Sequence, residues 1–166
     1  MTGDDVPDGE PLPRADAGPA PAWIRVAAPL LCLAGLGVAA YLTYAHYNAH
    51  VILACPNTGI VNCAKVTESP QSVVLGVPVA LLGLLFFGAI TPLHLPPAWN
   101  SGSVAVRVGR VAAAGAGIAM VLYLVYTELF TLDAICLWCT AVHVITFLLF
   151  VVTLVGTMQT ARGAEG

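Results

Sequence analysis

The chain has 166 residues, of which 58% are hydrophobic and 9% charged, with a formal net charge of -3. A water-soluble domain carries about 25% charged residues, so these side chains cannot clothe an aqueous surface, and most of them have lipid as their solvent. Six Lys and Arg scattered along the sequence make no basic stripe, which leaves nothing for a nucleic acid to bind.

Residues 1–21 begin MTGDDVPDGEPLPRADAGPA, an acidic stretch rich in Pro and Gly. Without a basic segment leading into an apolar one it is no cleavable signal peptide, and its composition predicts a disordered tail. No formal charge lies between Arg25 and Lys65, and residues 23–44 suffice for a first span, since about 20 apolar residues cross the hydrocarbon core. The longest hydrophilic connection, residues 47–71, follows and holds Cys55 and Cys63. A second span is predicted over 72–93 with Pro78 inside it, which a packed membrane helix tolerates. The HLPPAWNSG stretch then reads as a turn.

A third span is predicted over 106–130 and a fourth over 134–155. Only FTLDA separates them, so they must be antiparallel neighbours. Small residues recur as AGLGVAA, GVPVALLG and AAAGAGIA, which lets membrane helices approach closely. The fold expected is all-α: an integral membrane four-helix bundle over residues 22–157, with an extracytoplasmic loop between helices 1 and 2. Residues 158–166 are left as a short tail.

Four spans put both termini and the connection near residue 100 on one side. That side holds Arg14, Arg25, Arg107, Arg110 and Arg162, and the other holds only Lys65. The positive-inside rule makes the arginine side cytoplasmic. Cys55, Cys63, Cys136 and Cys139 then fall at the outer face, where disulfides persist. Cys32, within the first span, reads as packing.

The fourth span opens on DAICLWC. With Asp133 as N-cap, Cys136 falls in the first turn and Cys139 one turn deeper, on the same face. First-turn amides and the helix dipole favour a thiolate at Cys136, although a charge on Asp133 opposes it. On this reading Cys136 faces water and Cys139 faces lipid. Cys55 and Cys63 flank PNTGIVN, a sequence that bends. Two such pairs at one face permit a thiol–disulfide relay, each step an attack by a thiolate through a mixed disulfide. The two-electron acceptor at hand in a membrane is a quinone. Structural disulfides or a zinc site are the competing readings, the latter disfavoured because only one C-x-x-C is present.

The loop CPNTGIVNCAKVTES, the following GVPVALLG and the terminal CLWC resemble the vitamin K epoxide reductase family, in its bacterial disulfide-forming branch. The likeness covers about residues 23–157. It implies a quinone within the bundle beside the C-x-x-C, facing Cys139, while Cys136 exchanges with Cys63 and Cys55 takes electrons from a substrate protein. Ser69, six residues after Cys63, is implied to lie near the quinone. Two positions depart from the pattern: relatives often have Asn where this chain has Val79, and Tyr where it has His143. The resemblance further implies a menaquinone-type acceptor and a secreted or periplasmic thioredoxin-fold disulfide carrier, expected as a separate protein because the sequence ends in TMQTARGAEG.

His143, one turn beyond Cys139, is either a core histidine or a quinone contact. Trp138 is either an interfacial anchor or a wall of the quinone pocket. His46 and His50 have metal-ligand spacing but no acidic third ligand nearby, so an interfacial face is expected. Glu128 and Asp133 are expected to cap helices or be solvated at the outer turn. The activity implied is a quinone-dependent disulfide-forming oxidoreductase. The alternatives are a vitamin K epoxide or quinone reductase in the stricter sense, and a membrane scaffold whose disulfides or zinc are structural.

Overall fold

A computed structural model describes residues 20–48, 50–51, 53–55 and 58–162, so most of the expected N-terminal tail and residues 163–166 lie outside the described part. The chain is mostly helical. Helix α1 spans Ala22–Tyr47, α2 Cys63–Thr67, α3 Val79–His94, α4 Pro96–Trp99, α5 Val104–Tyr126 and α6 Leu137–Arg162. Three helical segments are long and apolar enough to cross a membrane: Ala22–Tyr47, Val104–Thr131 and Leu137–Ala161. Many of their large apolar side chains point outward, among them Leu30, Leu33, Leu122, Phe147 and Leu148. On a protein in water such a surface is a liability; against lipid it is the natural exterior.

The second apolar helix is shorter than the sequence suggests. Residues 73–78 form a hairpin, β1 (Val73–Val74) antiparallel to β2 (Val77–Pro78). Its turn needs positive φ at two successive residues, Leu75 at 52° and Gly76 at 80°, the geometry that matches strand twist in a two-residue loop. Pro78 favours an extended Val77 before it, and so ends the hairpin and starts the helix. It is the N-cap of α3, not a proline within a span. Sixteen residues remain, about 24 Å of helix at 1.5 Å per residue.

Helix α1 packs against α3 and α6, and α5 packs against α6 and α3. Certain glycines make these contacts possible. A Cβ on Gly35 would strike the Phe87 ring, one on Gly117 would meet Phe86 and Thr146, and one on Gly156 would meet Trp99. Gly37 and Gly115, in the same small-residue stretches, face open space. Phe87, Ile90, Ile24 and Leu149 form the centre of the resulting core, with Cys32 buried among them.

The corner from α3 to α5 is fastened by a buried arginine. Arg110 donates from Nε to Leu93 O and from Nη2 to Ala98 O, both at 2.9 Å, and its guanidinium lies 3.6 Å from the Trp99 ring centroid. At the opposite end α5 widens into a π-helical turn, Thr127–Thr131, and Asp133 takes a positive φ of 45°. Helix α6 continues through Arg162 with Thr160 buried, so the stretch expected as a tail from residue 158 is helical for most of its length.

Candidate active site

The loop after α1 folds down onto the start of α6 by backbone pairing. Asn62 N–H donates to Ile135 O at 3.0 Å and Ile135 N–H donates to Ile60 O at 2.8 Å, a parallel bridge between Val61 and Ile135. Each partner segment runs directly into a cysteine, Cys63 on one side and Cys136 on the other. Asn62 also caps α2, its Oδ1 accepting from Lys65 N–H at 2.9 Å, so Cys63 is the first residue of a short helix. A disulfide joins Cys55 to Cys63. Trp138 clasps the loop from above, its Nε1–H donating to Ala54 O at 3.1 Å and its ring 4.8 Å from that of Tyr41.

Cys136 is fully buried and packs with Cys63, Val66 and Ala134, while Cys55, Trp138 and Cys139 close the cluster. This corrects two expectations. Asp133 is not the cap: it is exposed, sits in a left-handed turn, and α6 begins only at Leu137. Cys136 itself precedes the helix, its Sγ accepting from Cys139 N–H at 3.2 Å as a capping side chain does. Nor does Cys136 face water, because the loop covers it. Cys139 is half-buried, with its Sγ set directly against Cys136 Sγ, close enough for the two to join as a disulfide. Cys139, through its thiol and its amide, holds the Cys136 thiol below its ordinary value of 9.0 against opposition from burial and the Glu128 charge.

Beyond Cys139 opens a cavity walled largely by apolar side chains. Cys139, Ser69, Val79 and His143 all line it, so four residues from three distant stretches of sequence converge there. Ser69 is buried and donates its hydroxyl to Val66 O at 2.8 Å, which leaves the oxygen free to accept. Val79, the first residue of α3, presents only an apolar surface. Trp138 is not among the lining residues and works instead as the clasp on the loop.

Two lining residues escaped sequence reasoning. Gln71 has a carboxamide oxygen buried without a hydrogen-bond partner. Glu128, expected at a solvated turn, is buried at 6% exposure. A carboxyl within an otherwise uncharged apolar run is a signal in itself, and YTELFTL carries one. His46 lies at the rim, shared with a broader cleft on the loop side that Cys55, Cys63 and Glu68 also line. Among the described residues no three His, Cys, Asp or Glu side chains are grouped to hold a metal ion.

The arrangement provides a buried thiol pair between a disulfide on one side and an apolar cavity on the other. A sequence model of the Vitamin K epoxide reductase family matches residues 26–154.

Proposed function

The chain belongs to the vitamin K epoxide reductase family, and from that premise we propose that it is a membrane thiol–disulfide oxidoreductase that generates disulfides with quinone as acceptor. The observation that carries this reading is the pairing of residues 60–62 with Ile135, which seats the loop disulfide beside a thiol pair that opens onto an apolar cavity. The cavity suits a quinone: its walls are apolar, and the partnerless Gln71 carboxamide offers a polar group to a ligand. Cys139, Ser69, Gln71 and His143 would hold it. A bound quinone, of menaquinone type, supplies a two-electron, two-proton acceptor.

Oxidation of Cys136 and Cys139 forms one S–S bond and releases two electrons and two protons. With the loop reduced, Cys63 thiolate attacks Cys136 Sγ and expels Cys139; Cys55 then attacks Cys63 and expels Cys136. The product is a closed Cys55–Cys63 disulfide above two free thiols. Cys55 next accepts a thiol of a thioredoxin-fold carrier, and the carrier's second thiol resolves the mixed disulfide. The cleft beside Cys55 gives that partner a place to approach.

In this reading α1, α3, α5 and α6 cross the membrane as a bundle, with the cysteines at the extracytoplasmic face and both termini in the cytoplasm. Arg110 and the residues around Trp99 mark one end, and Lys65 with the redox loop marks the other.

The test is a thiol-trapping turnover. Reduced protein is mixed with a menaquinone analogue, quenched with a mass-tagged maleimide and compared with Cys139→Ala. Oxidation of the inner pair and then the loop pair, both lost in the variant, is the expected result. Four thiols unchanged by quinone in folded protein would sink the proposal. Substituting the quinone epoxide as substrate separates this activity from the stricter epoxide reductase.

A further inference from the structure

A dithiol that becomes a disulfide loses protons as well as electrons, and beside a buried thiol a side chain can carry them. The ionisable groups lining the cavity are His46 from α1, Cys139 and His143 from α6, and Glu128 from the π-helical turn; α3 contributes only Val79, Ala80 and Gly83. His46 is exposed at the rim, and Asp133 is exposed beyond it. Glu128 is the lining carboxyl, and it is buried where such a group is costly.

Its position follows from the backbone. The π turn carries Leu132 N–H to Thr127 O and Ala134 N–H to Glu128 O, both at 3.0 Å, which ties the backbone of Glu128 to the segment leading into α6. Its buried side chain lines the cavity that Cys139 also lines. Glu128 therefore reaches the same space as the second redox thiol.

We propose that Glu128 is the proton carrier of this site, taking protons from the Cys136–Cys139 pair as their disulfide forms and delivering them to the acceptor in the cavity. The inference rests on the quinone-dependent reading above. Two S–H bonds break and one S–S bond forms. Two electrons and two protons pass to the quinone, giving quinol, and Glu128 ends the cycle in the protonation state in which it began.

The experiment compares wild type, Glu128→Gln and Glu128→Asp in the full chain, fully reduced and mixed once with a menaquinone analogue across a pH series. Gln keeps the size of the side chain, but it neither takes up nor releases a proton. The expected result is inner-pair oxidation slowed about 100-fold or more in Gln, the lower end of acid–base contributions, with the pH dependence of that step flattened. Asp, shorter but acidic, recovers part of the rate. A purely structural role predicts the reverse order, because Gln keeps the length of the side chain and Asp does not.

Gln as fast as wild type, or Asp no faster than Gln, overturns the proposal. Wild type that fails to pass electrons to quinone overturns it together with the quinone reading, whereas active wild type with an unaffected Gln variant overturns this inference alone. If the Gln variant does not fold, a solvent deuterium isotope effect that Glu128→Asp alters supports the role, and one that it leaves unchanged refutes it.

Discussion

The sulfur of Cys136 accepts the backbone N–H of Cys139 at 3.2 Å and has the Cys139 Sγ set directly against it. Cys139 thus favours the thiolate form of its neighbour, the form in which Cys136 leaves when Cys55 closes the loop disulfide. The Cys139 thiol is the larger cause of the depressed Cys136 titration. A depressed value means that thiolate is present below the ordinary 9.0, so the window of interest lies under that pH. Replacing Cys139 by Ala removes that thiol, and the titration of Cys136 should then move upward. Ultraviolet thiolate absorbance against pH, corrected with Cys136→Ser, measures it in protein lacking the loop cysteines. An unmoved titration would show that burial and the helix start, rather than Cys139, set the reactivity.

A second expectation concerns the contact between α1 and α3. Gly35 faces the fully buried Phe87, and an added methyl would collide with that ring. Overpacking of this kind costs about 1–3 kcal/mol. Gly35→Ala should therefore lower thermal stability in detergent by several degrees. Gly37→Ala, with nothing within 4 Å of its new methyl, is the control and should leave the midpoint in place or raise it through helix propensity. Equal behaviour of the two variants would mean that α1 and α3 are not held together as described.

The helices and the chemistry-bearing cysteines were legible because each has a local signature: apolar runs of span length, and paired thiols at fixed spacings. What the sequence concealed was backbone geometry at the ends of elements. Residues 73–78 are as apolar as the helix they precede, and only the succession Leu75, Gly76 and Pro78 hints at a hairpin. Asp133 has the chemistry of a helix cap, yet the π turn before it delivers the chain in a left-handed conformation and moves the helix start to Leu137. The same turn buries Glu128, which a regular helix ending at residue 130 would leave at a solvated edge. Ser69, Val79 and His143 were each singled out by the family resemblance, but their meeting with Gln71 in one cavity depends on the loop lying over α6, a long-range contact with no local signature.

The clasp at Trp138 makes the last expectation separable from the others. Its indole N–H reaches Ala54 O and its ring leans on Tyr41, so it ties the segment just before Cys55 to the residue between the two inner cysteines. Neither contact touches the cavity. If the clasp holds the loop in register for exchange, Trp138→Ala should slow the transfer of oxidation from Cys136–Cys139 to the loop pair, while quinone still oxidises the inner pair at close to the parent rate. Trp138→Phe keeps a ring beside Tyr41 and loses one hydrogen bond, a change of about 0.5–1.5 kcal/mol, so its exchange rate should fall between the two. Trapping both pairs at successive times after a quinone pulse resolves the steps. A Trp138→Ala protein that exchanges at the parent rate would leave the Ile135 pairing alone to hold Cys63 against Cys136. One that fails first at quinone oxidation would place the indole in the cavity wall after all.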